Sequence, residues 1–81
     1  MMEHRLIVYA RISCHLCTEM VRALSELQRE LGFEFHIREI DGRADLERLY
    51  GSRVPVLMAG EVEICHYFLD EDRLRRYILG S

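Results

Sequence analysis

Two thiols three residues apart can do chemistry that neither does alone. In "ARISCHLCTEM", residues 10–20, Cys14 and Cys17 have that spacing, and the chain has one other cysteine, Cys65. A C-x-x-C pair serves zinc ligation and dithiol exchange alike. Free cysteine also packs as a small buried hydrophobe. Spacing alone leaves all three readings open, so the elements that position the pair must choose between them.

Those elements are legible. "RLIVYA" (5–10) is a short apolar run of strand type. Leu16, Met20, Leu24, Leu27 and Leu31 then recur at spacings of three and four, with Ala23 beside them. This is an amphipathic helix with Gly32 as its left-handed cap. "FEFHIREI" (33–40) alternates Phe33, Phe35 and Ile37 with Glu34, His36 and Arg38, which is strand periodicity. Asp41-Gly42 breaks it. A short helix over 43–50, capped by Gly51, leads to strands over 54–59 and 60–65. Asp70 is a suitable N-cap for a last helix through Leu79, burying Leu74, Tyr77 and Ile78. The order β-α-β-α-β-β-α implies an α/β fold with a mixed four-stranded sheet flanked by helices, its first unit a right-handed βαβ crossover. Pro55 cannot donate to a sheet ladder and is expected at the very start of its strand.

In this frame Cys14 follows a strand by a short loop and opens a helix. Unpaired N–H groups and the positive end of the helix dipole favour an anion there. The thiol is therefore expected to ionise more readily than a free cysteine. Cys17, one turn on, is expected to be more buried. That division makes Cys14 the group that attacks a disulfide and Cys17 the group that resolves the mixed disulfide.

Composition narrows the setting. The chain has 81 residues, 49% hydrophobic and 31% charged, as expected of a single folded domain. A formal net charge of −3 gives no basic footprint for nucleic acid. All 11 basic side chains are arginine, so any side-chain cation near a thiolate is Arg or His. No run approaches the roughly 20 apolar residues needed to span a bilayer. "MMEHRLIVYA" lacks an apolar stretch of signal-peptide length. A cytoplasmic, monomeric protein is the expectation, and three cysteines there suit catalysis or metal binding better than a disulfide framework.

With "CHLC" opening a helix and "RVPVL" before a hairpin, the chain resembles the thioredoxin-like fold and, within it, glutaredoxin. It is similar above all to small bacterial glutaredoxin-like proteins of unassigned role, which share a Cys-His-Leu-Cys opening and a segment like "YGSRVPVL". Thioredoxin itself is longer at its N-terminus and has a buried acidic residue where this chain has Val8. The resemblance implies a thiol–disulfide oxidoreductase acting in electron transfer and cell redox homeostasis. It implies a cis Val54–Pro55 bond facing the dithiol, with the Val54 backbone open to an extended peptide or glutathione. Arg11 matches a basic residue that supports the thiolate or binds a substrate carboxylate. His15, inside the dithiol loop, is a candidate for tuning its potential, and Arg53 for flanking the same groove. Protein disulfides or glutathione are the implied partners, and no cofactor is expected beyond glutathione as a candidate co-substrate.

The likeness stops at "EICHYFLDED". Glutathione-binding glutaredoxins carry Gly-Gly after the last strand, where this chain has Cys65 and His66, then Tyr67 and Phe68. Asp70 and Asp72 stand near the family's acidic residue. Two alternatives to the enzyme follow. One is a zinc site using Cys14, Cys17 and Cys65 with an outside ligand, since adjacent Cys65 and His66 point apart on a strand. The other is a non-catalytic protein-interaction module using the Pro55 groove, with Tyr67 and Phe68 at its rim. No protein metal site is expected, and His4, His36 and His66 read as surface or strand-face residues.

Overall fold

Leu6 and Val8 are fully buried, while Ile7 and Tyr9, which alternate with them, are half-buried, so β1 (Arg5–Ala10) is covered on both faces. It lies inside a four-stranded sheet of order β2-β1-β3-β4. β2 (Glu34–Glu39) runs parallel to β1, with Arg5 opposite Glu34 and Ala10 opposite Glu39. β3 (Val56–Ala59) and β4 (Val62–His66) follow antiparallel. The computed structural model describes residues 5–80, so His4 lies outside the described residues.

Three helices cover the sheet: α1 (His15–Leu31), α2 (Ala44–Tyr50) and α3 (Glu71–Gly80). α1 turns Met20, Leu24 and Leu27 onto Leu6, Val8, Leu57 and Ile64, and α3 adds Leu74 and Ile78 to the same core. Each such fully buried side chain contributes about 1.5–3 kcal/mol. On the other face the Tyr50 ring of α2 stacks on Tyr9 at 4.1 Å. α1 ends where Gly32 takes φ 72°, a left-handed turn whose N–H bonds the Gln28 carbonyl. Asp70 caps α3 through its carboxylate, which accepts from the Arg73 N–H at 3.1 Å. No described helix is long and apolar enough to cross a membrane.

The expected element order holds, with local corrections. Alternation in β2 fades along the strand: Phe33 is buried, Phe35 half-buried, and Ile37 is 52% exposed. β2 is an edge strand, so its far end outruns its cover, and Ile40 is buried instead. Pro55 precedes β3 rather than starting it. Tyr77 is only half-buried. β4 carries a bulge: Met58 faces Glu63 while Leu57 faces Cys65, leaving Ile64 as the extra residue.

Candidate active site

Ser13 has φ 60°, a left-handed backbone that L-residues other than Asn and Asp rarely take. It turns the chain out of β1 so that Cys14, in extended conformation, becomes the N-cap of α1. The Cys17 N–H donates to Cys14 Sγ at 3.2 Å, and the Cys14 carbonyl accepts from the Thr18 N–H and hydroxyl at 3.1 and 3.2 Å. The two cysteines form a disulfide, with Cα atoms 5.2 Å apart. Cys14 is half-buried and Cys17 is 4% exposed. When reduced, an unpaired helix-end donor is thus aimed at the outer sulfur, which favours its anion.

The loop that presents Cys14 is tied down from the opposite side. Arg11 Nη2 lies 3.1 Å from Glu47 Oε1 of α2, and Nη1 lies 3.5 Å from Asp41 Oδ1. The same two carboxylates accept the Ile12 N–H at 2.7 Å and the Gly42 N–H at 3.2 Å. Gly51 closes the cluster by close approach, since a Cβ there would overlap the Glu47 carbonyl oxygen and press on the Arg11 guanidinium. Arg11 is therefore partnered within the chain. His15, 85% exposed at its side chain, lies 3.7 Å from Glu19 one turn along the helix.

Across the sheet, the end of each strand comes to the same level. Tyr9 pairs with Val56 and Val56 with His66, so Ala10, Pro55 and Tyr67 stand one step beyond. The Tyr67 N–H donates to the Pro55 carbonyl at 2.9 Å, and the Val54–Pro55 bond is cis, as the resemblance implies. The bulge at Ile64 brings Glu63 and His66 to one face, opposite Met58 and Val56. There the Glu63 carboxylate joins Arg53 on one oxygen and His66 Nδ1, at 2.7 Å, on the other. Burial alone would raise the Glu63 pKa, but the His66 hydrogen bond and the Arg53 charge together hold it below the usual range. Tyr67 takes φ 66°, and its hydroxyl donates to the Ser52 carbonyl at 2.8 Å. Phe68 follows, 68% exposed.

On the β2 side of the dithiol a cavity of about 310 Å³ opens, lined by Cys14, Cys17 and the apolar Ile12, Val21 and Ile37, with Arg11, Thr18 and Glu39 among its polar walls. Arg53, Val54 and Pro55 are not among its walls.

A family model described as Glutaredoxin-like domain (DUF836) matches residues 5–79. This chain belongs to that family. It is similar to protein Ne2328 of Nitrosomonas europaea, solved by NMR, at 46% identity and TM-score 0.87, covering 96% of this chain and 94% of that one. Protein XcR50 of X. campestris, solved by X-ray, matches at 36% identity and TM-score 0.76 over 94% and 97%. An uncharacterized protein of Mycobacterium tuberculosis is 33% identical over 76 residues, 88% of this chain and 78% of its own length. The architecture is thioredoxin-like.

Within the glutaredoxin-like domain, Cys14 and Cys17 are joined at the start of α1, and Val54 and Pro55 reach the same end of the sheet. Arg11 and Arg53 reach that end too, each already held by the chain's own carboxylates. Among the described residues no three His, Cys, Asp or Glu side chains gather as a metal site. Cys65 pairs with Leu57 on the α1/α3 side, and burial pushes its thiol pKa up. Sequence reasoning missed Asp41, Glu47 and the bonds of Tyr67 to Ser52 and Pro55. Asp41 was visible only as a strand breaker, and no local signal marks a tyrosine in a left-handed turn.

Proposed function

We propose that this protein is a thiol–disulfide oxidoreductase of glutaredoxin type, acting on protein or glutathione mixed disulfides in a reducing cytoplasm and as a monomer. The observation that carries the reading is the Cys14–Cys17 pair at the N-terminus of α1, with the Cys17 N–H directed at Cys14 Sγ. The Cys14 thiolate attacks a substrate disulfide, forming one S–S bond as another breaks, and the leaving thiolate takes a proton from solvent. Cys17, as thiolate, then attacks Cys14 Sγ and releases the second substrate thiol. The substrate gains two electrons and the dithiol becomes the disulfide, which an external thiol, glutathione or a protein dithiol, must reduce again. Val54 and Pro55 border the substrate. Arg11 and Arg53 act as positioning residues for the loops on either side, and His15 stands at the solvent face of the dithiol turn.

Equilibration in a dithiothreitol redox buffer, with the bridge mapped by mass spectrometry, tests the chemistry. A Cys14–Cys17 disulfide interconverting with the dithiol is expected. Its absence at every potential would end the proposal. Cys14→Ser is expected to bring disulfide reduction to background, while Cys17→Ser accumulates the mixed disulfide.

A further inference from the structure

The two sides of the dithiol differ, and the difference bears on which disulfides it can meet. On the β4 side, the Tyr67 side chain reaches from the end of β4 to the Ser52 carbonyl, while its backbone is bonded to Pro55. Tyr67 is thus anchored at both ends of residues 52–55, the segment that carries the Val54 backbone ahead of β3. Both arginines at this end are paired internally, Arg11 with Asp41 and Glu47 and Arg53 with Glu63. A glutathionyl group carries two carboxylates and needs donors or cations for them. Here it meets a phenol ring and guanidinium groups already neutralised.

The β2 side is open, and although Arg11, Thr18 and Glu39 share its walls, its exposed lining is mostly apolar. Its cavity beside Cys14 is walled by Ile12, Val21 and Ile37, and Ile12 and Ile37 are 62% and 52% exposed. Apolar side chains left in water beside a reactive thiol gain free energy only when a partner covers them.

We infer that Tyr67 and the Ile12–Val21–Ile37 cavity together set specificity: Tyr67 closes the Val54 side to glutathionyl groups, and the cavity receives an apolar side chain next to the reactive cysteine of a polypeptide disulfide. This rests on the dithiol reading above and deepens it. The exchange is the same two-electron step, and the reductant that restores the dithiol is then a protein dithiol rather than glutathione. Tyr67, in a left-handed backbone conformation costly for a bulky side chain, is held there by contacts at both ends, its N–H on Pro55 and its hydroxyl on Ser52.

The test compares three substrates on the full chain: a glutathione–peptide mixed disulfide, a peptide disulfide flanked by leucines, and the same disulfide flanked by serines. The wild type is expected to reduce the leucine-flanked substrate about tenfold faster than either of the others, the order of one buried side chain. Tyr67→Gly, with Tyr67→Asn as a second variant also at home in a left-handed turn, is expected to raise the rate on the glutathionyl substrate relative to the leucine-flanked one about tenfold. Ile37→Ser is expected to remove the leucine-over-serine preference. Wild-type preference for the glutathionyl substrate, an unmoved ratio in both Tyr67 variants, or an intact leucine preference in Ile37→Ser would each overturn the inference. If neither variant at position 67 folds, the wild-type ranking and Ile37→Ser decide it. The Cys14–Cys17 redox titration is read in parallel: its failure defeats the dithiol chemistry, whereas its success with altered ranking defeats only the specificity.

Discussion

Arg11 and Glu47, 36 residues apart in sequence, meet at 3.1 Å and fasten the loop before Cys14 to the start of α2. An arginine that a sequence reading assigns to substrate or thiolate is in the folded chain a tie between two loops. Because both partners are about one-third or more exposed, the pair is screened by solvent and salt. Arg11→Ala is expected to cost about 1 kcal/mol in urea unfolding at low ionic strength, and less at high salt. Faster amide exchange at Ile12 and Gly42, the N–H groups held by Asp41 and Glu47, should accompany it.

The three thiols should differ in reactivity by address. Cys14 lies at a helix N-terminus and is partly accessible, Cys17 is 4% exposed, and burial holds the Cys65 thiol protonated. Under limiting iodoacetamide at neutral pH, the reduced protein is expected to alkylate at Cys14 at least about tenfold faster than at either other cysteine. Peptide mapping by mass spectrometry reads the order directly, and a faster Cys65 would refute the assignment.

Ser13, at φ 60°, bears a steric cost that glycine would not. Ser13→Gly is expected to stabilise the fold by about 0.5–1 kcal/mol, relief of that cost outweighing the extra freedom of glycine in the unfolded chain. The denaturation midpoint of the reduced protein measures it.

Glu63 supplies a pH dependence. Burial opposes its charge, but His66 and Arg53 prevail and its folded pKa lies below the ordinary value of 4.5. Across that interval the unfolded chain binds the proton more readily than the folded one, so stability rises with pH. The contribution is complete above the unfolded pKa and is lost as pH falls through the folded one. The stability difference between wild type and Glu63→Gln should therefore shrink as pH is lowered below about 4.5, the reference carboxyl value.

Leu24 sits at the centre of the α1 face and is fully buried. Leu24→Ala is expected to cost about 3 kcal/mol, a large share of the few kcal/mol that hold a domain this small. Unfolding curves that shift by less than about 1 kcal/mol would mean the helix does not pack as described.

How much was readable in advance differs between the elements and the site. The period of leucines in α1, the cap at Gly32 and the run of β1 depend on neighbours within a few residues, so their order and the helix-opening position of Cys14 were legible. Alternation over 33–40 marks a strand but not where an edge strand loses its cover, so the 52% exposure of Ile37 was not legible. Arg11 and Arg53 read as free cations because their partners, Asp41, Glu47 and Glu63, are distant along the chain.

The α/β class, the strand–loop–helix setting of "CHLC" and the Val54–Pro55 segment that follows α2 are all written along the chain. Those features arise from local periodicity, caps and the chemistry of proline. The pairing of both arginines with the chain's own carboxylates, the bulge at Ile64 that brings Glu63 to His66, and the bonds of Tyr67 to Ser52 and Pro55 emerge only on folding. Each of these follows from strand register and loop packing, where the free energy of a contact is set by groups that no local pattern brings together.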